Sequence, residues 1–120
     1  MNCSIGVHRV GDVAIIDLSG KFTLTDAPGR IRDTVAGVLE SGARNILLNL
    51  AEVTLMDSAA GIGELVISYT RTLRHGGRLK LLNANKNISH ILQLTRLDTI
   101  FEMYENEDAA VGSFHATGLP

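Results

Sequence analysis

The 120-residue chain is 45% hydrophobic and sets 11 Lys and Arg against 13 Asp and Glu, for a formal net charge of −2 and an isoelectric point near 6.0. That is enough chain for one hydrophobic core without disulfide or metal staples, and the charge lacks the basic excess that draws proteins to nucleic acid. A single cysteine, Cys3, excludes an internal disulfide, and no Cys/His cluster has zinc-ligand spacing. Neither a secretory leader nor an apolar run of about 18 residues is present, so one soluble cytoplasmic domain is expected over residues 1–120, with its core in about 4–115.

In chain order, Ile5, Val7 and Val10 precede Gly11-Asp12, and Val13 to Leu18 follow; two β-branched runs around a short turn predict an antiparallel hairpin. A helix comes next, with Thr25 or Asp26 as cap, Pro28 in its first turn and Ile31, Val35, Val38 and Leu39 on one face. Gly42 stops it. Asn45 to Leu50 hardly alternates, as expected of a strand covered on both faces. A second helix carries Ile62, Leu65, Val66, Tyr69 and Leu73 and ends in Arg71, Arg74 and His75 before Gly76-Gly77. Arg78 to Leu82 then leads into a helix with Ile88, Ile91, Leu92 and Thr95. A short strand at Ile100–Tyr104 and a helix near Asn106 to Phe114 close the chain. This order predicts an α/β fold with a mixed sheet of four to five strands and about four helices packed against it.

The informative segment is Val53-Thr54-Leu55-Met56-Asp57-Ser58-Ala59-Ala60-Gly61-Ile62-Gly63-Glu64-Leu65, between a buried strand and an amphipathic helix. Asp57 and Ser58 have two readings there. Both are favoured helix N-caps, worth about 1 kcal/mol. Alternatively, Ser58 is a phosphoacceptor beside a carboxylate, with Gly61 and Gly63 admitting another backbone closely. A phosphate would bring about −1.5 to −2 charges at a helix start whose dipole accommodates it.

Asp57-Ser58 with Gly61-Ile62-Gly63-Glu64-Leu65, Gly76-Gly77-Arg78-Leu79-Lys80-Leu81-Leu82-Asn83, Ile91-Leu92-Gln93-Leu94-Thr95-Arg96-Leu97 and Ile100-Phe101-Glu102 together resemble the STAS-domain family, specifically the stand-alone bacterial anti-sigma factor antagonists. The resemblance runs from Gly11-Asp12-Val13 to about Phe114. It implies a compact sheet with helices on one side and no catalytic or cofactor site. It also implies a serine at the start of the second helix, here Ser58, that is phosphorylated by an anti-sigma factor kinase of the GHKL ATPase type and reset by a PP2C-type phosphatase. In such systems the unphosphorylated antagonist binds the kinase and releases sigma factor. Carried over by position, the interface comprises Asp57, Ala59, Gly61, Ile62 and Gly63, with Thr23 and Phe22 from the loop after the second strand.

Two positions depart from the family pattern. The usual run is Asp-Ser-(Ser, Thr or Ala)-Gly, whereas two alanines separate Ser58 from Gly61 here. Matched from the left, Ser58 takes the acceptor position; matched backwards from Gly61, Ala59 does. The left-hand match is preferred because Val53 to Asp57 fits the preceding strand and loop without adjustment. In the earlier loop, Gly20-Lys21-Phe22-Thr23-Leu24 places Thr23 where many relatives have an aspartate.

The remaining candidates have plainer accounts. His8, His75, His90 and His115 are scattered and do not converge as metal ligands do. Glu102, Glu105, Glu107 and Asp108 suit a solvated helix start. Gly61-Ile62-Gly63 lacks the lysine of a phosphate loop. Two further readings were weighed: a STAS interaction subunit of a larger complex that is not phosphorylated, and a receiver-like aspartyl acceptor at Asp57. The second lacks the acidic pair a receiver needs after its first strand, because Val13 to Leu18 ends in Ser19-Gly20.

Overall fold

Gly11-Asp12 turns the chain as expected. In a computed structural model that describes residues 2–57 and 61–115, β1 (Cys3–Val10) runs antiparallel to β2 (Val13–Phe22), with Val10 opposite Val13. From β2 onward every neighbour is parallel and reached through a helix: α1 (Arg30–Glu40), β3 (Asn45–Met56), α2 (Gly63–Arg74), β4 (Arg78–Leu82), α3 (Lys86–Leu94) and β5 (Met103–Tyr104). The strands lie in the order β1-β2-β3-β4-β5, and α4 (Glu107–Ser113) ends the described chain. This is the expected α/β architecture, with five strands and four α-helices. No helix among the described residues is long and apolar enough to cross a membrane.

Three strands differ in extent from the sequence expectation: β2 runs past Leu18 to Phe22. β3 continues past Leu50 to Met56 because β2 runs on beside it, pairing Gly20 with Val53 and Phe22 with Met56 across two register shifts. Partner strands, more than local pattern, set strand length here. The expected strand at Ile100–Tyr104 shrinks to Met103–Tyr104: a 3₁₀ turn takes Leu97–Thr99, and Phe101 is buried edge-on to Tyr69 at 5.2 Å between ring centroids.

Both faces of the central strands are covered, as the non-alternating Asn45 to Leu50 run predicts. Ile16, Leu18, Ile46, Leu48, Leu79 and Leu81 meet Ile31 and Val35 of α1, Leu65 of α2 and Ile88 and Leu92 of α3. Val13, Ile15, Leu47 and Leu82 point the other way, against Ala110 of α4 and Phe114. Helices on one side only would leave that second set in water, at about 1.5–3 kcal/mol per large side chain. The implied one-sided sheet is therefore corrected: α4 caps the opposite face. Beneath it lies the buried ammonium of Lys80, 2.9 Å from the Ser113 hydroxyl, 3.2 Å from the Ser113 carbonyl and 3.3 Å from Glu102. Its position 4.6 Å from the centre of the Phe114 ring adds a cation–π contact.

The buried line of α2 also differs from expectation. Leu73 is exposed, and Leu65, Ser68 and Thr72 face inward. The Thr72 hydroxyl donates to the Ser68 carbonyl at 2.8 Å, whereas Ser68 Oγ, fully buried, has no hydrogen-bond partner among the described residues. A buried hydroxyl with no partner costs about 1–3 kcal/mol. Ser68→Ala is accordingly expected to raise stability by about 1 kcal/mol, read as an increased midpoint in thermal or urea unfolding; a lower midpoint would contradict this account of the site.

Candidate functional site

The site forms where β2 and β3 overrun β4. Parallel strands deliver the loops at their C-terminal ends to one edge of the sheet, which places the β2–α1 connection beside the β3–α2 connection. Asp57 joins them. Its N–H donates to the Phe22 carbonyl at 3.3 Å, closing the strand pair. One carboxylate oxygen accepts from the Leu24 N–H at 3.0 Å and the other from the Gly61 N–H at 2.7 Å.

These bonds are wider than those of an ordinary helix start. A helix-capping side chain ordinarily accepts from the second or third residue beyond it, and its carbonyl from the fourth. Here the Asp57 side chain accepts from Gly61, and the Asp57 carbonyl accepts from the Ile62 N–H at 2.9 Å. Each ring encloses one residue more than usual, and residues 61–62 are wound as a π-turn ahead of α2. Asp57 is held at one end and Gly61 at the other. A Cβ on Gly61 would strike Met56 Cγ and lie 2.9 Å from the Phe22 carbonyl oxygen. The capping reading of Asp57 describes what this side chain does, in widened form.

A second carboxylate ties the same connections together from α2. Glu64, only 6% exposed, accepts from the backbone N–H groups of Gly29 at 2.6 Å, Ile31 at 3.1 Å and Arg32 at 3.3 Å. The unpaired amides that open α1 are thus capped from another helix, and the positive end of the α1 dipole faces the Glu64 carboxylate. The expected caps Thr25 and Asp26 are corrected: α1 starts at Arg30 after Gly29, which adopts φ 77°.

Thr23 and Asp26 instead close a turn on themselves. The Thr23 hydroxyl donates to Asp26 at 2.8 Å, and the Asp26 N–H donates back at 3.1 Å. Asn2 donates to the other Asp26 oxygen at 2.9 Å. The Asn2 amide and then the Thr23 hydroxyl hold the Asp26 carboxyl below its ordinary value of 3.8, with the nearby Lys21 charge in the same direction and partial burial opposing.

The residues singled out from sequence separate into three groups. Asp57, Thr23 and Gly63 are half-buried and share this edge, and open space surrounds the Gly63 Cα. Phe22, Ile62 and Gly61 are buried: Phe22 is 1% and Ile62 3% exposed within the main core, so neither side chain is available to a partner. Expecting Phe22 as an exposed docking residue is corrected because β2 extends through it and turns its ring inward. Ser58 and Ala59 lie outside the described residues. Sequence reasoning missed Leu24, 66% exposed beside the Asp57 latch, and Glu64, whose partners lie in another helix. An apolar residue flanked by threonines in a loop could have signalled the first; no local pattern signals the second.

The STAS domain family model matches residues 4–110. An anti-sigma factor antagonist from Mycobacterium paratuberculosis is similar in structure, with 19% identity, 94% of each chain covered and a TM-score of 0.80. SpoIIAA, a Bacillus cell fate determinant, in its phosphorylated form shares 21% identity over 92% of this chain and 98% of its own, with a TM-score of 0.72. Its unphosphorylated form shares 23% identity over 97% and 100%, with a TM-score of 0.77. At these identities the structural likenesses speak for the fold.

Two measurements probe the latches. Glu64→Ala is expected to cost about 2–3 kcal/mol, with faster amide exchange at Gly29, Ile31 and Arg32, while Glu64→Gln, which keeps an acceptor, costs less. Exchange unchanged at those three amides would contradict the cross-helix cap. Because folding lowers the Asp26 pKa, its contribution to loop order is complete above the ordinary value of 3.8 and is lost as pH falls through the depressed folded value. An NMR titration of the Thr23 and Asp26 amides should show a midpoint below 3.8, moving upward in Asn2→Ala.

Proposed function

The chain belongs to the STAS domain family, and from that membership we propose that it is an anti-sigma factor antagonist, a cytoplasmic protein that regulates transcription by binding and not by catalysis. Its partner is an anti-sigma factor kinase of the GHKL ATPase type, whose capture frees sigma factor. Phosphorylation of Ser58 by that kinase ends the interaction, and a PP2C-type phosphatase restores it.

The observation that best supports this reading is the Asp57 latch. Both of its carboxylate oxygens hold backbone amides, so the residue immediately before Ser58 is fixed to the β2–α1 loop and to the start of α2. Such a junction gives a kinase a defined backbone to recognise. A phosphate on Ser58 would add about −1.5 to −2 charges next to that carboxylate. On a chain of net charge −2, this nearly doubles the net negative charge of the whole protein, all of it added at one edge. The added repulsion and desolvation oppose docking without requiring the domain to unfold.

The reading is tested by incubating the protein with ATP and the ATPase kinases encoded beside its gene, then mapping phosphate by mass spectrometry. Phosphate is expected on Ser58 and absent from Ser58→Ala. Ser58→Asp should bind the kinase at least about tenfold more weakly than wild type, and Ser58→Ala should bind regardless of ATP, by titration calorimetry. Binding that is equal for all three proteins would remove the switch and favour an interaction subunit that is not phosphorylated.

A further inference from the structure

The outward stripe of α2 carries a second feature. Ile67, Thr70, Arg71 and Arg74 recur at helical spacing and, with Val66 and His75, line a groove of about 400 Å³. Ile67, 40% exposed, also lines an adjoining hollow of about 220 Å³ with Leu24, Arg32, Gly63 and Glu64, whose carboxylate is taken up by the backbone amides of Gly29, Ile31 and Arg32. One apolar-floored track therefore runs from the Asp57 edge along α2. Arg32, Arg71 and Arg74 stand along its rim, and none of the three forms an ion pair with another described residue.

We propose that this track docks an acidic amphipathic helix of a protein partner, with Ile67 and Leu24 meeting its apolar face and Arg32, Arg71 and Arg74 its carboxylates. The partner's identity as the anti-sigma kinase rests on the function proposed above; the chemistry of the track does not. Three arginines beside exposed apolar side chains match a helix that presents carboxylates and aliphatic anchors at the same spacing. Bulk anionic surfaces fit less well, because the chain as a whole carries −2. Exposed cations at the edge of a contact act mainly through the association rate and its salt dependence.

The test has two arms. In the first, isotope-labelled protein is titrated with a synthetic amphipathic peptide bearing Leu on one face and Glu on the flanks, and with its Glu-to-Lys counterpart. Shift changes are expected at Leu24, Ile67, Thr70, Arg71 and Arg74 with the Glu peptide, and at least about tenfold weaker binding with the Lys peptide or with an Arg71→Glu/Arg74→Glu variant. Equal binding of both peptides, shifts centred elsewhere, no binding, or preferential binding to phosphatidylserine vesicles would overturn the proposal. In the second arm, the same double variant should bind the kinase at least about tenfold more weakly, with a flatter salt dependence, while remaining folded by circular dichroism. Kinase binding that responds to Ser58→Asp but ignores the charge reversal overturns the track and leaves the switch standing. If wild type binds no kinase, the antagonist reading falls, and the peptide arm alone decides the track.

Discussion

Two carboxylates, Asp57 after β3 and Glu64 in α2, hold the candidate edge of this protein together. Asp57 and Glu64 between them accept from the backbone amides of Leu24, Gly61, Gly29, Ile31 and Arg32, of which Leu24 and Gly29 belong to the β2–α1 connection and Ile31 and Arg32 to the first turn of α1. Hydrogen bonds to a charged acceptor are about twice as strong as neutral ones, and each amide here would otherwise lie idle at a loop or helix end. The start of α2 and the loop before α1 consequently behave as one piece, although they are far apart in the chain. A change on one is transmitted to the other through bonds already made.

The sheet supplies the platform for that edge. β2 and β3 overrun their neighbours, so the two connections leave the sheet together, and the buried Phe22 and Met56 side chains anchor their ends in the core. Gly61 packs where a side chain cannot fit, whereas the space beside Gly63 is open. Two glycines that look equivalent in sequence therefore serve opposite ends, one packing inward and one leaving the surface clear. On the far face, α4 covers Leu47 and Ile15 and shields the Lys80 ammonium within a ring of acceptors and aromatics. That burial is remote from the Asp57 edge and steadies the central strands from behind.

The widened turn ahead of α2 spans the two points from which the motif can be counted. Counting from Asp57 and counting back from Gly61 disagree by one residue, and both anchors are occupied in the structure. Asp57 makes the capping bonds and Gly61 makes the close packing contact. The Asp57 carbonyl accepts from the Ile62 N–H, one residue further on than in an ordinary helix start.

Local patterning determined the order of strands and helices, the Gly11-Asp12 hairpin and the double-sided burial of Asn45 to Leu50. These follow from hydrophobic period, turn chemistry and apolar runs that act over a few neighbouring residues. The motif around Asp57 likewise pointed to the functional edge. Tertiary structure alone decided which motif residues are exposed and which are buried. The inward turn of Phe22 depends on β3 being long enough to pair with it, the burial of Ile62 on the core beneath α2, and the cap of α1 on a glutamate from another helix. Such properties arise from contacts between segments distant in sequence, where no local period carries a signal.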